Sequence, residues 1–207
     1  MIDARMAKCL FGNLSVAMES NVELLTQLDS AAGDGDLGVS MKQGFAAVAH
    51  AAESADTDEL GKLMQKCAMA LNDAAPSTLG TILSVWLMAG GKTLKGKTQC
   101  GVEELAAFVA AGNSAIMARS NSAPGEKTIL DALVPAQNAL EAAATNGLSL
   151  KKALEDAAIA ADQGCMLTKQ MKAVHGRAAY YAEKTIGLQD GGATVARIIF
   201  DTFAQSL

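Results

Sequence analysis

Apolar residues recur three or four positions apart along most of the chain, which is the spacing of one face of an α-helix. No stretch alternates apolar and polar residues with a period of two, so the pattern predicts no β-strand. Successive helices joined by short loops favour one all-α domain of antiparallel neighbours spanning residues 1–207. The apolar stripes predict eight helices, over residues 6–25, 41–52, 60–71, 79–90, 105–116, 129–140, 150–161 and 195–202.

Polar and glycine-rich segments separate the stripes. Residues 90–101 are rich in glycine and lysine and are predicted to form a loop, whereas residues 174–192 are too irregular for a regular helix. Pro135 falls inside the sixth stripe and is expected to kink that helix or shorten its first part, because proline lacks an N–H donor. Ser77 or Thr78 is predicted to cap the fourth helix, and Ser149 the seventh.

The composition supports a helical interior. Half of the 207 residues are apolar but only 4% are aromatic, so alanine and methionine fill the core, which favours closely packed helices over a sheet. The length suffices for one sizeable core. The net charge is -5 and there is no basic cluster, which argues against nucleic acid and anionic membrane surfaces as partners. An anionic ligand would need a metal ion or helix N-termini to hold it.

The cysteines and the first residues indicate the compartment. Cys9, Cys67, Cys100 and Cys165 show no C-x-x-C spacing, and two of them lie within apolar stripes, as expected for small buried side chains in a reducing environment. Lys8 interrupts any apolar core of a signal peptide, and no apolar run reaches transmembrane length. The sequence therefore predicts a soluble cytoplasmic protein without a membrane segment.

One polar stretch, residues 29–38, lies between the first two stripes and carries three carboxylates, Asp29, Asp34 and Asp36. No lysine or arginine occurs from residue 29 to residue 41, so the carboxylates would repel one another unless a cation joins them. Hard oxygen ligands of this kind suit Mg²⁺ or Ca²⁺. The alternative is an ordinary turn, since aspartate and glycine are the commonest turn residues. An EF-hand does not fit, because no glutamate falls at the closing position of its loop.

Several helix starts are rich in small or hydroxylated residues, which leave backbone N–H groups accessible. Gly38 and Ser40 begin the second helix, residues 77–80 begin the fourth, and residues 191–192 begin the last. Each of these starts either caps its helix or binds an anion such as phosphate. A carboxylate-bound metal beside an anion-binding helix end suggests a metal–nucleotide complex.

Three motifs occur in order over nearly the whole chain. They are Asp29 with Gly33-Asp34-Gly35-Asp36, then Pro124-Gly125-Glu126-Lys127-Thr128-Ile129-Leu130-Asp131-Ala132-Leu133, and then Gly176-Arg177 followed by Gln189-Asp190 and Gly192-Ala193-Thr194. Together they resemble the nucleotide-binding L subunit of the dihydroxyacetone kinases. The resemblance implies a barrel of eight antiparallel helices with the nucleotide at one rim.

The resemblance also implies the residues of the site. Asp29, Asp34 and Asp36 are expected to hold Mg²⁺, which bridges the phosphates of ATP or ADP. The phosphate-contacting loops and the rest of the nucleotide pocket are expected at Leu37, Gly38, Val39, Ser40, Ser77, Thr78, Leu79, Gly80, Ser120, Ile129, Arg177, Asp190, Gly191 and Gly192.

The activity implied is phosphoryl transfer from the Mg-nucleotide to a short ketose. In the family a separate K subunit holds the ketose covalently on a histidine, so no catalytic base is expected in this chain, and His50 and His175 are expected to be surface or packing residues. A homodimer is a further expectation. Two alternatives remain open. One is a phosphoenolpyruvate-dependent version, in which ADP stays bound and a phosphotransferase M subunit rephosphorylates it; the other is a nucleotide-loaded regulatory module that binds a transcription factor.

Four places depart from the family pattern, all of them around the expected nucleotide. Leu37 stands where the family usually has histidine, and Ser40 where it has asparagine. Ser77-Thr78-Leu79-Gly80 replaces Gly-Ala-Ser-Gly, and Asp190-Gly191-Gly192 replaces Asp-Pro-Gly. These departures indicate a divergent branch, and branches of this family act on other short ketoses such as tetruloses.

Overall fold

Nine α-helices make up most of the fold in a computed structural model, which describes residues 1–207. They are α1 (Ala4–Ser20), α2 (Val22–Ser30), α3 (Leu37–Glu53), α4 (Leu60–Ala74), α5 (Thr78–Thr93), α6 (Val102–Ser120), α7 (Leu130–Thr145), α8 (Leu150–Leu167) and α9 (Gly191–Gln205). Eight of them form a closed ring, in which α1 packs against α3, each later helix packs against the next, and α9 closes on α1. The all-α prediction and the implied eight-helix barrel are both confirmed.

The first predicted helix is divided in two, which the apolar stripe did not show. Asn21 separates α1 from α2 with a backbone φ of -106° and ψ of 11°. Its side-chain Nδ2 donates a hydrogen bond of 2.8 Å to the carbonyl of Ala17. Asparagine commonly ends a helix in this way, because its side chain competes for backbone groups. The separate helix α2 then lies against α3 and α9.

Two further expectations were wrong in part. The prediction of no strands missed one short antiparallel pair, β1 (Ile2–Asp3) with β2 (Gln99–Cys100), which is too short to show a period of two. The loop predicted over residues 90–101 is shorter than expected, since α5 continues to Thr93. Helix α7 runs continuously through Pro135, so the proline does not shorten it; the Asp131 carbonyl, which Pro135 cannot bond, packs against the backbone of Gly164 in α8.

Small residues let the helices of the ring approach closely. The facing sides of α7 and α8 consist largely of alanines that are almost fully buried, including Ala132, Ala136, Ala157 and Ala161. Fifty buried residues form one continuous core, in which few are aromatic. The cavity inside the barrel is lined by hydrophobic residues alone. That cavity therefore offers no polar group to a ligand.

One end of the barrel gathers the segments that the sequence singled out. The N-termini of α3, α5, α7 and α9 lie there, beside the C-termini of α2, α4, α6 and α8; we call this end the rim. Its loops meet through Ser40 and Ser77, whose hydroxyls are 3.0 Å apart, and through Ile129, which packs against Gly192. Ser77 and Ser149 cap α5 and α8 as predicted.

The cysteines are all free, as expected, but not all are buried. Cys67, Cys100 and Cys165 are enclosed in the core, whereas Cys9 is exposed. Burial raises the pKa of the Cys67 and Cys100 thiols to about 12, so both stay protonated and unreactive at neutral pH. None of the nine helices is both long enough and apolar enough to cross a membrane.

Candidate functional site

An open cleft of about 910 Å³ lies at the rim. The loop between α2 and α3, the start of α5, the end of α6 and residues 175–178 supply most of the lining. Nine of the residues expected in the site line this cleft: Asp29, Asp34, Asp36, Leu37, Ser77, Thr78, Leu79, Ser120 and Arg177.

The loop between α2 and α3 folds around the side chain of Asp29. Asp29 Oδ2 accepts hydrogen bonds from the backbone N–H groups of Gly35 at 2.7 Å and Asp36 at 3.1 Å. Gly35 adopts a φ of 77°, which favours glycine. A Cβ atom on Gly33 would collide with the Asp29 carboxylate. The two glycines therefore allow the chain to bring three carboxylates together, with one ligand atom from each of Asp29, Asp34 and Asp36 within 4.8 Å of the others.

This concentration of negative charge is only partly balanced. The Arg177 guanidinium contacts the Asp34 carboxylate, and no other cation forms an ion pair with the three aspartates. Burial, followed by the charges of Asp34 and Asp29, raises the pKa of Asp36 above its ordinary value, while Arg177 opposes the rise. Asp36 begins α3 without capping it, so its carboxylate remains available to a cation.

The donor set fits a hard divalent cation. Opposite oxygen ligands lie about 4.2 Å apart around Mg²⁺ and about 5 Å apart around Ca²⁺, and the carboxylate oxygens of Asp29, Asp34 and Asp36 already lie within 4.8 Å of one another. Asp34 and Asp36 are exposed and Asp29 is half-buried, so a metal bound there would remain open to further ligands on its solvent side.

The start of α5 lines the same cleft as the aspartates. Ser77 Oγ accepts a hydrogen bond of 3.1 Å from the Gly80 N–H and another of 3.0 Å from Ser40 Oγ. The backbone N–H groups of Thr78 and Leu79 make no hydrogen bond within the chain. Unpaired N–H groups in the first turn of a helix, together with the positive end of the helix dipole, favour an anion at this position.

The other residues expected in the site lie outside the lining of the cleft. Gly38 packs against the Val22 carbonyl of α2, and Gly80 packs against the Ala75 carbonyl. Val39 is 49% exposed on α3. Ser40 does not line the cleft, but its hydroxyl donates a hydrogen bond to Ser77, which does. The remaining expected residues, Ile129, Asp190, Gly191 and Gly192, lie at the adjoining starts of α7 and α9.

Two of the departures from the family pattern contact each other. A Cβ atom on Gly191 would lie 2.6 Å from Leu37 Cδ2, so the leucine at the start of α3 occupies the space beside the glycine at the start of α9. Leu37 is 8% exposed. Two other departures, Ser40 and Ser77, share the hydroxyl contact described above. The departures from the family pattern therefore form two contacting pairs. Leu37 and Gly191 connect the starts of α3 and α9, and Ser40 and Ser77 connect the starts of α3 and α5.

A buried cluster of charge underlies the starts of α7 and α9. Asp131 accepts hydrogen bonds from Gly125 N–H at 2.5 Å and Thr128 N–H at 2.6 Å, which fixes the loop before α7. Lys127 in this loop is buried, and desolvation lowers its pKa. Asp190 caps α9 through Ala193 N–H at 2.6 Å. Part of Asp190 reaches the surface, but its carboxyl group is enclosed, and this desolvation raises its pKa to about 6.

The sequence did not reveal one hydrogen-bonded pair of the rim. His175 Nε2 lies 2.6 Å from Glu126 Oε2, and hydrogen bonding to His175 lowers the pKa of Glu126. The two residues are 49 positions apart, so no local pattern linked them, and His175 was expected to be a surface or packing residue. His175 in fact lines the cleft. His50 is exposed on α3, as expected.

Comparison with known proteins decides the family. The DAK2 domain family matches residues 31–205. The chain belongs to the DAK2 domain family. This DAK2 domain is 34% identical over 206 residues to the L-erythrulose kinase of Pectobacterium atrosepticum, covering 97% of the chain and 35% of that relative. It is 29% identical over 182 residues to the PEP-dependent dihydroxyacetone kinase, ADP-binding subunit DhaL, of Escherichia coli, covering 88% of the chain and 87% of that subunit.

The fold of this DAK2 domain also matches a solved structure. The dihydroxyacetone kinase from C. freundii in complex with AMP-PNP and Mg²⁺ superposes with a TM-score of 0.75 at 22% identity, covering 97% of this chain and 33% of that one. The chain thus spans about one third of the length of the L-erythrulose kinase and of this kinase structure. The resemblance to the L subunit noted from three motifs is confirmed.

Proposed function

We propose that this DAK2 domain, residues 1–207, binds a Mg²⁺–nucleotide complex and transfers its phosphoryl group to a short ketose held by a partner subunit. The observation that carries the proposal is the cleft at the rim. Three carboxylates of its lining lie within 4.8 Å of one another. In the same cleft, the first turn of α5 presents unpaired N–H groups. This combination suits a metal together with the phosphates it bridges.

Each group of residues at the cleft has a proposed role. Asp29, Asp34 and Asp36 would hold Mg²⁺, which when bound supplies positive charge against the phosphate oxygens. The N–H groups of Thr78 and Leu79, which have no partner within the chain, would donate to a phosphate. Leu37 and Ser120 line the cleft beside them. Arg177, which contacts Asp34 and lines the same cleft, would donate to a phosphate oxygen. Ser77 also lines the cleft. The remaining expected residues lie outside its lining: Gly38, Val39, Ser40, Gly80, Ile129, Asp190, Gly191 and Gly192.

The nucleotide assignment draws further support from relatives. The C. freundii structure contains AMP-PNP and Mg²⁺, and the E. coli relative is named an ADP-binding subunit. The names of relatives also point to short ketoses, since one is an L-erythrulose kinase and another a D-erythrulose kinase. We propose a three- or four-carbon ketose as acceptor on this basis.

The cleft contains no residue suited to hold the ketose carbonyl. Its one histidine, His175, is engaged by Glu126, and no lysine lines it. Small sugars offer little binding energy beyond their hydroxyl groups and need a dedicated polar pocket. A K subunit that carries the ketose would supply this pocket and, by covering the rim, would exclude water from the phosphates. The partner therefore completes the catalytic site, and two copies of this chain in a homodimer would bind two such partners.

A second candidate differs in the phosphoryl donor. Relatives in E. coli and Listeria innocua are named PEP-dependent, ADP-binding subunits. If this chain is also PEP-dependent, ADP stays in the cleft and an M subunit of the phosphotransferase type rephosphorylates it. A regulatory module that carries nucleotide without catalysis is the third candidate, and it requires no ketose-carrying partner.

The test is a ketose phosphorylation assay with the purified chain and its K partner. With ³²P-labelled Mg-ATP, we expect label in dihydroxyacetone or a tetrulose when both proteins are present, and none above background with this chain alone. Label transfer only after phosphotransferase proteins and phosphoenolpyruvate are added would favour the second candidate. Full activity without the K partner would contradict the two-subunit proposal. If no label reaches the ketose with either donor, the result would favour the regulatory module.

A further inference from the structure

The segment between α8 and α9 leaves the ring and carries two residues of the cleft. Residues 168–188 leave the barrel after α8 and return just before α9; we call this excursion the lobe. It contains two short 3-10 segments, Thr168–Gln170 and Arg177–Thr185. His175 and Arg177 lie on it and line the cleft. Most of the lobe is exposed, and Tyr180 is 91% exposed, so little apolar burial fixes its position.

The ammonium group of Lys127 bonds both ends of the lobe. Lys127 Nζ donates hydrogen bonds to the carbonyl of Thr168 at 2.6 Å and to the carbonyl of Leu188 at 2.5 Å. Beside them, Gly187 N–H donates to the Lys169 carbonyl at 2.7 Å, and Asp190 N–H donates to the Thr168 hydroxyl at 3.0 Å. The lobe therefore closes on itself at a narrow neck, and Lys127, which comes from the loop before α7, ties this neck to the ring.

The environment of Lys127 is unusual for a lysine that only fills space. The residue is 6% exposed, whereas lysine is almost never buried without a partner. Its φ of 60° lies in the left-handed region, and Asp131 holds the surrounding loop in place through two backbone N–H groups. No carboxylate forms an ion pair with Lys127. Its hydrogen bonds go instead to the two ends of the lobe, and a hydrogen bond from a charged donor is stronger than a neutral one.

Beyond the neck, the lobe makes two polar contacts with the rest of the protein. His175 pairs with Glu126, and Arg177 contacts Asp34. Both pairs are partly exposed, and exposed ion pairs contribute little to stability. Internal contacts, such as Ala173 N–H to Thr185 Oγ1 at 3.0 Å, stiffen the lobe itself without attaching it. The placement of Arg177 at the cleft therefore depends mainly on the neck.

We propose that Lys127 is a positioning residue, which closes the neck of the lobe and thereby holds Arg177 beside the aspartates of the cleft. Its effect on ligand binding rests on the proposed function, but its effect on the lobe does not. Lys127 touches neither the cleft nor the aspartates, so it acts through the lobe. A lysine that merely stabilised the fold would affect all helices alike.

The first experiment measures amide hydrogen–deuterium exchange of the ligand-free chain. In Lys127→Met, which keeps the length of the side chain but removes both hydrogen bonds, we expect residues 169–188 to exchange about tenfold faster or more while α1 and α3–α6 are unchanged. Lys127→Arg retains a charged donor and should exchange more slowly than the methionine variant. Lys184→Met, an exposed lysine of the lobe that makes no hydrogen bond, is the matched control and should leave exchange unchanged.

The second experiment measures Mg-ADP affinity by calorimetry. We expect Lys127→Met to raise the dissociation constant about five- to tenfold. In an Arg177→Ala background the same change should have little further effect, because the residue that the neck positions is already absent. If the unmodified chain binds no Mg-ADP, the proposed function fails while the exchange experiment still tests the role of Lys127.

Several results would overturn the proposal. Unchanged exchange of the lobe in Lys127→Met would show that the neck does not need the ammonium group. Acceleration of the ring and the lobe to the same extent, or loss of helical circular dichroism, would place Lys127 in the general fold instead. Full additivity with Arg177→Ala would show that Lys127 does not act through that residue.

Discussion

Leu37 at the start of α3 and Gly191 at the start of α9 fit together so closely that a Cβ atom on the glycine would lie 2.6 Å from Leu37 Cδ2. Both residues depart from the pattern of the L subunits that the sequence resembles, and the structure makes them neighbours. A bulkier residue at 191 would meet the buried leucine, and a smaller residue at 37 would leave a gap at the rim. The two positions are therefore expected to behave as one unit.

Gly191→Ala should destabilise the chain by about 1 kcal/mol, because the added methyl displaces the end of the Leu37 side chain. In a Leu37→Ala background the same change should cost less than about 0.5 kcal/mol, since space is then available. Urea unfolding of the single and double variants measures both values. The control is Gly12→Ala in α1, where a Cβ atom meets nothing within 4 Å; it should stabilise by about 0.5–1 kcal/mol. Equal costs in both backgrounds would show that the two residues are not coupled.

Replacing one carboxylate of the cleft should weaken metal–nucleotide binding. Asp34→Asn and Asp36→Asn each remove an anionic oxygen ligand, and we expect the dissociation constant of Mg-ADP to rise at least about tenfold. Isothermal titration calorimetry checks this. Asp156→Asn breaks a surface pair with Lys152 on α8 and should leave the affinity unchanged. Unaltered affinity in both cleft variants would rule out the metal assignment.

Ligands should stabilise the fold in a characteristic order. A ligand that binds the folded chain alone adds about 2.7 kcal/mol at one hundred times its dissociation constant, which for about 200 residues raises the melting temperature by about 5–10 °C. We expect this rise with Mg-ADP, and much smaller rises with Mg²⁺ or ADP alone, because the aspartates and the start of α5 bind the two parts jointly. Differential scanning fluorimetry measures it. A rise with Ca²⁺ alone equal to that with Mg-ADP would indicate a plain calcium-binding loop.

Asp190 should make stability depend on pH in a predictable direction. Desolvation raises its pKa to about 6 in the folded chain, above about 3.9 in the unfolded chain. The fold therefore prefers the protonated form, and the stability contribution of Asp190 falls as the pH rises from about 4 through about 6. The loss amounts to about 3 kcal/mol.

The substitution Asp190→Asn provides the comparison, because it keeps a capping side chain that does not titrate. Relative to the unmodified chain, the variant should gain stability between about pH 4 and about pH 7. Denaturant unfolding at several pH values measures the difference. A constant difference between the two proteins over this range would show that Asp190 is not desolvated in the fold.

The sequence predicted features that depend on neighbours along the chain. The helical stripes, the serine cap at residue 77 and the three carboxylates of residues 29–36 are each encoded within one or two turns. Contacts between separate loops could not be predicted from the sequence, because they depend on how the ring of helices closes. Lys127 bonding to Thr168 and Leu188, and His175 pairing with Glu126, join segments more than 40 residues apart. The break at Asn21 was missed because the apolar stripe continues across it.

The alternation of helix directions around the ring has a consequence for how quickly an anion reaches the cleft. Helix N-termini and C-termini both lie at the rim, so their dipoles largely cancel at a distance and act only within the first turn. The chain as a whole carries a charge of -5. An approaching anion therefore meets repulsion rather than attraction until it is almost in contact. Association of an anionic ligand should therefore be slow and should become faster as salt screens that repulsion. Its dissociation depends instead on the metal and the few N–H groups of the cleft.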